Sequence, residues 1–206
     1  MADVIEQRMQ RDGHRVWGLV VYRCDYESDE QWTQCLSTVR GSVDETLRES
    51  NSGDDLRDSM QLTVMNDKEL YSRLSPVEVR SHFWQWRDQA IAREQGRPAR
   101  DADFFSPRYA YCVQIDSGAL HSVLLSQTST AAQHGGDTGY ANVVSVYEGH
   151  AIGARPEYYE ELGDDNFDTG WMRVAYGYLV EFAWYWAGDI NAWYGEYQPP
   201  PKIHDG

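Results

Sequence analysis

Val16–Tyr26 has the sequence VWGLVVYRCDY and is the stretch that decides the fold. It is rich in β-branched and aromatic residues and lies between polar segments, which predicts a buried central strand. Ser28 and Asp29 then open the segment QWTQCLSTVRGSVDETL, whose apolar residues recur at helical spacing. A strand followed at once by an amphipathic helix indicates a domain that layers helices against a sheet.

The rest of the chain continues this alternation of strands and helices. Ser75, Pro76 and Glu78 predict a capped helix start, and the helix should run to about Gln95 and stop at Gly96. A short helical segment, ALHSVLLS, follows the third predicted strand. The further predicted strands are Met60–Met65, Arg108–Asp116 and Ala141–Gly149.

This order predicts one α+β or α/β domain with a four- to five-stranded sheet packed with helices. A ferredoxin-like or related αβ sandwich is the architecture we expect, and no internal repeat suggests another one. We expect residues 1–15 to form an N-terminal extension, residues 16–197 the domain, and residues 198–206 a Pro-rich C-terminal tail.

The net charge excludes one large class of partners. The 206 residues carry a formal charge of −15, and the sequence pI is about 4.7. Such a surface repels nucleic-acid phosphates and anionic lipids, so we expect neither nucleic acid nor a membrane as a partner. The charge favours solubility, and it leaves open an acidic protein that binds cations.

The cysteines and the N-terminal residues indicate in which cellular compartment the protein is found. The chain has three cysteines, none in a CxxC pair, which argues against a disulfide framework and a structural zinc site. Residues 1–15 lack the apolar core of a signal peptide. These features predict a cytoplasmic protein.

Several motifs with a known chemistry are absent from the sequence. It contains no GxGxxG after the first strand, no GxxxxGK[ST], no HExxH and no GxSxG. We therefore expect no nucleotide cofactor and no catalytic metal.

Polar residues at the strand ends are the candidate catalytic groups. Arg23 ends the first strand, Asp116 the third, and Glu148 and His150 the fourth. If these strands run parallel, their ends converge where open α/β sheets bind ligands, and the carboxylates could perform general acid–base catalysis. The alternative for Asp25 and Asp116 is that each caps the helix that follows it.

Arg23 is the sharpest of these candidates. It continues the strand face of Trp17, Leu19 and Val21, and a cation on an apolar face needs a carboxylate or a ligand anion. Structural pairing with a carboxylate and anchoring of a ligand oxygen are both open.

The segment Gly170–Pro201 is unusually aromatic, but Arg173, Glu181 and Asp189 interrupt it too closely for a membrane span. We expect a core helix up to about Gly188, and a lid or an interface over residues 189–197. The predicted substrate-binding rings are Tyr22, Tyr111, Trp171, Tyr178, Trp186 and Trp193.

Together these patterns favour a protein that binds a small hydrophobic or aromatic organic molecule. If it is an enzyme, it would be a cofactor-independent isomerase, cyclase or lyase. The alternatives are a non-catalytic interaction module, in which the C-terminal rings anchor a partner or a homodimer, and a cation-binding acidic protein.

Three stretches together resemble a group of small uncharacterised fungal proteins. In that group a strand with an Arg precedes a Trp-bearing helix, a Tyr-rich strand ends in Asp, and a Gly-Trp-Met strand follows. The resemblance implies a cytosolic fungal protein and carries no activity or catalytic residue with it. The stretches are WGLVVYRCDYESDEQW at Trp17–Trp32, RYAYCVQID at Arg108–Asp116 and GWMRV at Gly170–Val174.

Overall fold

Strand β1 (Val20–Arg23) lies inside the sheet with a parallel neighbour on each side, as the opening stretch predicts. The computed structural model describes residues 2–49, 54–128, 139–146, 169–186, 193 and 196–206. Within these residues the other strands are β2 (Thr63–Met65), β3 (Tyr111–Ile115), β4 (Tyr140–Ser145), β5 (Trp171–Ala175) and β6 (Ile203–His204).

The helices fill the intervals between the strands. Two short 3₁₀ turns, Asp101–Phe105 and Tyr176–Tyr178, precede α6 and α8 respectively. The described α-helices are α1 (Ala2–Asp12), α2 (Asp29–Glu49), α3 (Asp54–Asp58), α4 (Lys68–Tyr71), α5 (Pro76–Gln95), α6 (Pro107–Ala110), α7 (Ser117–Thr128) and α8 (Leu179–Trp186).

The strand order is β2-β1-β3-β4-β5-β6. Strands β2, β1 and β3 are parallel, β4 is antiparallel to both β3 and β5, and β5 and β6 are parallel. The predicted α+β class is confirmed, but the sheet has six strands within the described residues rather than four or five.

Helices cover both faces of this sheet because the strand residues alternate between two apolar cores. Leu19 and Val21 of the β1 region face a core shared with α2, α7 and α8. Val20 and Tyr22 face a second core shared with α5. A sheet buried on both faces is not the arrangement expected of a ferredoxin-like fold, in which helices lie on one face, so that finer prediction is not confirmed.

Local sequence signals set the bounds of α5 as predicted. The Ser75 side chain accepts from the Glu78 backbone N–H while the Glu78 carboxylate accepts from Ser75, which is a complete capping box. Gly96 ends the helix in the left-handed region, at a φ of 65°.

Gly18 is required by the close approach of two chain segments before β1 and β2. Its φ is 115°, and a Cβ at this position would collide with the carbonyl oxygen of Gln61. The Gln61 amide donates to the Trp17 carbonyl at 2.8 Å, which begins the parallel pairing of β1 with β2.

Residues on both sides of the predicted domain contribute elements to the fold. The segment predicted as an N-terminal extension forms α1, whose Ile5 is fully buried in the core shared with α2. The predicted C-terminal tail contains β6, in which Ile203 pairs with Arg173 of β5. Both segments belong to the fold because they bury apolar side chains or complete the sheet.

One predicted strand begins later than expected. Residues 107–110 form α6, since Pro107 favours a helical first turn. Arg108 in that turn is fully buried, and its Nε donates to Glu94 of α5 at 2.7 Å. Among the described helices, none is both long enough and apolar enough to cross a bilayer.

Candidate functional site

The carboxyl ends of β1 and β3 meet at the point where the strand order reverses. The chain passes from β1 to β2 through α2 on one face, and from β2 to β3 through α5 on the other. Such a switch point is where open α/β sheets bind ligands.

A cavity of about 730 Å³ lies at this switch point, and we call it the strand-end cleft. It is large enough for a small organic molecule. Its lining comes from four segments: Cys24, Asp25, Tyr26 and Glu27 after β1; Lys68, Ser72, Arg73 and Leu74 in and after α4; Ser75 and Pro76 at the start of α5; and Asp116 and Ser117 at the start of α7.

Three carboxylates line the cleft, and two of them, Asp25 and Asp116, lie directly at the end of a strand. Asp25 is buried, and its Oδ1 accepts from the Glu27 backbone N–H at 2.9 Å. Asp116 is half-buried, and its Oδ1 accepts from the Ala119 backbone N–H at 2.8 Å. Asp116 therefore caps α7, as the alternative interpretation proposed, while still lining the cavity.

A pair of buried amides holds Asp116 from behind. Asn142 of β4 donates from Nδ2 to Asp116 Oδ2 at 2.9 Å and to Gln114 Oε1 at 3.3 Å. Gln114 in turn donates to the Leu74 carbonyl at 2.7 Å, which fixes the loop before α5. These hydrogen bonds connect Leu74 on one wall of the cleft to the Asp116 carboxylate on the opposite wall.

Two tyrosines flank these carboxylates, each with an arginine over its ring. The Arg23 guanidinium lies 4.4 Å from the Tyr26 ring centroid, and that of Arg173 lies 4.4 Å from the Tyr140 centroid. Burial raises the pKa of Tyr26 to about 12, although Arg23 opposes that shift, so its phenol is neutral near pH 7. The Tyr26 hydroxyl is buried without a hydrogen-bond partner among the described residues.

Tyr140 reaches the first turn of α7. A Cβ on Gly118 would lie 2.9 Å from the Tyr140 hydroxyl oxygen, so glycine permits this approach. Burial is the main cause that raises the pKa of Tyr140, Arg173 opposes it, and the charge of Asp116 adds to it. Asp116 and Arg173 thus both lie within electrostatic reach of Tyr140.

The outer wall of the cleft is polar and exposed. Lys68, Glu27 and Arg73 all have exposed side chains, and Arg73 Nη2 lies 4.0 Å from Glu27 Oε1. Arg73 has a φ of 59° and donates its backbone N–H to the Cys24 carbonyl at 2.9 Å. A non-glycine residue in the left-handed region is strained, and such strain clusters at functional sites.

Arg23 takes the structural role that was one of its two predicted alternatives. It is buried, and it donates from Nε to the Asp25 carbonyl at 2.8 Å and from Nη2 to Asp29 Oδ1 at 2.6 Å. It is not among the described residues that line the cleft. Arg23 acts on the site through Tyr26, because its guanidinium lies over the Tyr26 ring and opposes the rise in the pKa of Tyr26.

The predicted convergence of strand ends holds for β1 and β3 but not for β4. Strand β4 runs antiparallel to β3, and its Ser145 pairs with Tyr111 at the opposite edge of the sheet. Glu148 and His150, which follow β4, lie outside the described residues.

The described rings among those predicted to bind substrate are divided between the two cores, on opposite faces of the sheet. Tyr22 is buried in the α5 core, and Trp171 packs against that core from the same side. Tyr111 and Tyr178 belong to the core on the other face of the sheet. Trp186 is the last residue of α8, and its side chain lies outside the described part of the chain.

Trp193 is a core residue rather than part of an exposed lid or interface. It is only 3% exposed, and its ring stacks on that of Tyr111 with centroids 5.3 Å apart. Phe182 packs edge-on against Trp193 at 6.0 Å. Burial of such a ring stabilises the C-terminal segment on the sheet, and the predicted homodimer stays a prediction.

The environment of the three thiols indicates that they are unreactive. Burial raises the pKa of Cys24 to about 12 and that of Cys35 to about 11, and it raises the pKa of Cys112 well above the ordinary value. All three are free and buried. A neutral thiol is a weak nucleophile, so Cys24 lines the cleft but is not a candidate nucleophile.

Metal binding has little support from the described residues. Within them, no group of three His, Cys, Asp or Glu side chains is arranged to hold an ion.

A second polar cluster lies at the opposite end of α5, and we call it the Asp103 cluster. Asp103 is fully buried, and its carboxylate accepts from Arg97 Nη1 at 2.6 Å, from His14 Nε2 at 2.9 Å and from the Arg100 backbone N–H at 2.8 Å. Burial by itself would raise the pKa of Asp103, but the bonds from Arg97, His14 and Arg100 outweigh burial and hold it well below the ordinary value. The cluster ties the end of α1 to the turn before α6.

Sequence reasoning missed Gln114, Tyr140, Asn142 and Arg173. A signal for three of them was present, since Gln114, Asn142 and Arg173 are polar residues inside β-rich runs, YCVQI, YANVVS and WMRVA. Like Arg23, each is a polar side chain in an otherwise apolar strand, where a buried polar group needs a partner. Only the pairing of β3, β4 and β5 shows that they share one sheet face.

No family model, curated protein or solved structure matches this chain. The resemblance to small fungal proteins therefore stays an expectation, and the site rests on its own geometry.

Proposed function

We propose that this protein binds a small polar organic molecule in the strand-end cleft, with Asp25 and Asp116 accepting its hydrogen bonds. One observation carries the proposal: a carboxylate from each of two adjacent parallel strands lines a single cavity at the switch point of the sheet. General acid–base catalysis is the chemistry such a pair could supply without a cofactor, as in an isomerase or a lyase.

The lining favours a polar ligand over the hydrophobic or aromatic one expected from the sequence. Ten of the twelve lining residues are polar or charged if Cys24 is counted with them, and Leu74 and Pro76 are the apolar exceptions. Carboxylates that face an apolar ligand would lose their hydrogen bonds to water without gaining a new hydrogen-bond partner. A ligand with hydrogen-bond donors would avoid that cost.

A cytoplasmic location remains part of the proposal. Its support is that the three cysteines are free, buried thiols, as a reducing compartment allows.

The proposal is tested by replacing each carboxylate with its neutral isostere. In Asp25→Asn the new amide oxygen can still accept from Glu27, and in Asp116→Asn it can still cap α7. The matched control is Asp44→Asn, since Asp44 is exposed on α2 about four turns from its start.

The measurement is a thermal-shift screen of all four proteins against a library of polar metabolites, with native mass spectrometry to confirm stoichiometry. A ligand present at about 100 times its Kd stabilises by about 2.7 kcal/mol, which is several degrees in Tm for a chain of this size. We expect such a shift in the unmodified protein and Asp44→Asn, and its loss in the two cleft variants. Equal shifts in all four proteins would place the ligand elsewhere.

A further inference from the structure

Asp25 is a buried carboxylate that forms no ion pair with any of the described residues. It is only 7% exposed, and the hydrogen bond to its Oδ1 comes from the uncharged Glu27 backbone N–H. The neighbouring Arg23 donates instead to the Asp25 backbone carbonyl and to the Asp29 carboxylate. Buried carboxylates are normally paired with a cation because burial penalises the charge, so Asp25 needs an explanation.

The second carboxylate oxygen of Asp25, Oδ2, is accessible. In the part of the chain that the structure describes, this oxygen has no hydrogen-bond partner, yet it is not one of the unpartnered side-chain atoms that are sealed from solvent. It therefore keeps accessible surface. Because Asp25 lines the strand-end cleft, a molecule in the cleft can contact this oxygen.

Asp116 adds a second unbalanced charge to the same cavity. It accepts hydrogen bonds from two uncharged donors, the Ala119 backbone N–H and the Asn142 amide, and no described cation forms an ion pair with it. Its side chain is half-buried and lines the cleft. Each carboxylate oxygen can accept more than one hydrogen bond, so Asp116 still has acceptor capacity for a ligand.

The cations of the cleft lie on its outer wall. Lys68 and Arg73 are both exposed, and Arg73 faces Glu27, the third carboxylate, at 4.0 Å. Water and salt screen such exposed charges, whereas they screen a buried charge such as that of Asp25 much less. The net charge of −15 on the whole chain adds a field that attracts cations.

An ammonium group suits this site better than a metal ion. It carries one positive charge and three N–H donors, so it can donate to Asp25 Oδ2 while it balances the charge of Asp116. A Ca²⁺ ion needs about six to eight oxygen ligands. Across the described ranges, no group of three His, Cys, Asp or Glu side chains is arranged to supply them. The cavity volume of about 730 Å³ also leaves room for an organic body attached to the ammonium group.

We propose that the ligand of the strand-end cleft is a small organic amine, whose ammonium group donates to Asp25 Oδ2 and is attracted by Asp116. This inference rests on the proposed function and names the chemical class of its ligand. It implies that the positive charge of the ligand, and not only its hydrogen-bond donors, decides which molecule binds.

The probes are small amines, each paired with the neutral alcohol in which a hydroxyl replaces the ammonium group. The pairs are ethanolamine with ethylene glycol, putrescine with butanediol, and tyramine with tyrosol. Saturation-transfer NMR detects weak binding, and calorimetry then gives Kd. We expect at least one amine to bind the unmodified protein and its alcohol to bind about ten-fold or more weakly, because the alcohol leaves the carboxylate charges unbalanced.

The protein variant is Asp25→Asn, which removes the charge but keeps an oxygen that can accept from the Glu27 backbone N–H. Its matched control is Glu30→Gln, which removes the same charge from an exposed residue in the first turn of α2, outside the described lining of the cleft. We expect Asp25→Asn to weaken the amine about ten-fold and to erase its advantage over the alcohol. The control should keep that advantage.

Circular dichroism checks that each variant is folded, and Asp116→Asn replaces Asp25→Asn if the latter is not. The comparison of each amine with its alcohol uses the unmodified protein, so it tests the inference without any variant.

The outcomes separate this inference from the proposed function. The inference is wrong if no amine binds, if each alcohol binds as tightly as its amine, or if Asp25→Asn keeps the full preference for the amine. Displacement of a bound amine by Ca²⁺ well below the Kd of that amine would also contradict it, since the cleft would then be a metal site. The proposed function still stands if a neutral or anionic metabolite gives a thermal shift that both Asp25→Asn and Asp116→Asn lose, and it fails if no metabolite of any class does.

Discussion

The Asp103 cluster and the strand-end cleft both place a carboxylate among polar groups, yet they differ in how far these groups are satisfied. Asp103 is fully buried and takes hydrogen bonds from two side chains and a backbone amide. Asp116 is half-buried beside an open cavity, and the Asn142 amide that holds it has an oxygen with no hydrogen-bond partner in the described part of the chain. The first cluster is closed, and the second is incomplete.

The difference separates a carboxylate that stabilises the fold, Asp103, from one that is available to bind a ligand, Asp116. A closed network gives its free energy to the folded state, because every donor has its acceptor before anything binds. An incomplete network costs stability in the free protein and regains it when a ligand supplies the missing groups. We expect mutations in the two places to separate stability from binding.

The largest loss of stability should come from Asp103→Ala. The change leaves His14 and Arg97 without the buried carboxylate that they share, and breaking a buried pair costs about 3–5 kcal/mol. Urea unfolding followed by circular dichroism measures this loss. A cost below about 1 kcal/mol would mean that the cluster is not the closed support that its geometry indicates.

Acid should reproduce a part of that loss. Hydrogen bonds and the charge of Arg97 lower the folded pKa of Asp103 below its unfolded value, despite the opposing effect of burial. Its contribution is therefore present above the unfolded pKa of about 4, and it is lost as the pH falls from there through the folded pKa.

The measurement is the pH dependence of urea unfolding between pH 6 and pH 2, compared between the unmodified protein and Asp103→Asn. The unmodified protein should lose more stability over this window, since the variant has no carboxylate to protonate there. Parallel curves would contradict the assignment.

The smallest change in stability should come from Asp116→Asn. The Asn oxygen can still accept from the Ala119 backbone N–H. Its new NH₂ group, however, faces the NH₂ group of Asn142, which loses its acceptor, so we expect the free energy of unfolding to fall by about 1 kcal/mol. The same variant should lose ligand binding entirely. If it costs as much as Asp103→Ala, the contrast between the two clusters fails and Asp116 serves mainly the fold.

Elements with strong local signals could be predicted from the sequence. The capping box at Ser75 and the left-handed Gly96 fixed both ends of α5, and the apolar run before Arg23 predicted β1. Elements made by tertiary contact could not. Strand β6 has only two residues, and it exists because it pairs with β5, which is about 30 residues away in the chain.

The candidate site was predictable in part. The sequence showed polar residues after β1 and β3, and it predicted that they would converge if the strands were parallel. The pairing of β1 with β3 is parallel, and Asp25 and Asp116 line one cavity. Arg23 and the aromatic rings were assigned to a pocket on their chemistry alone. Their partners, Asp29 for Arg23 and Tyr111 for Trp193, come from elements whose packing no local pattern reveals.

The sequence by itself determined that alternating strands and helices would bury an apolar sheet, and that polar groups would follow β1 and β3. Side-chain periodicity and capping act within a few residues, so they can be read along the chain. Only the tertiary structure decided that β4 runs antiparallel to β3, which brings Asn142 into contact with Asp116 and places Arg173 of β5 opposite Asn142. Strand direction and order depend on contacts between residues far apart in the chain, and the sequence shows no distance between them.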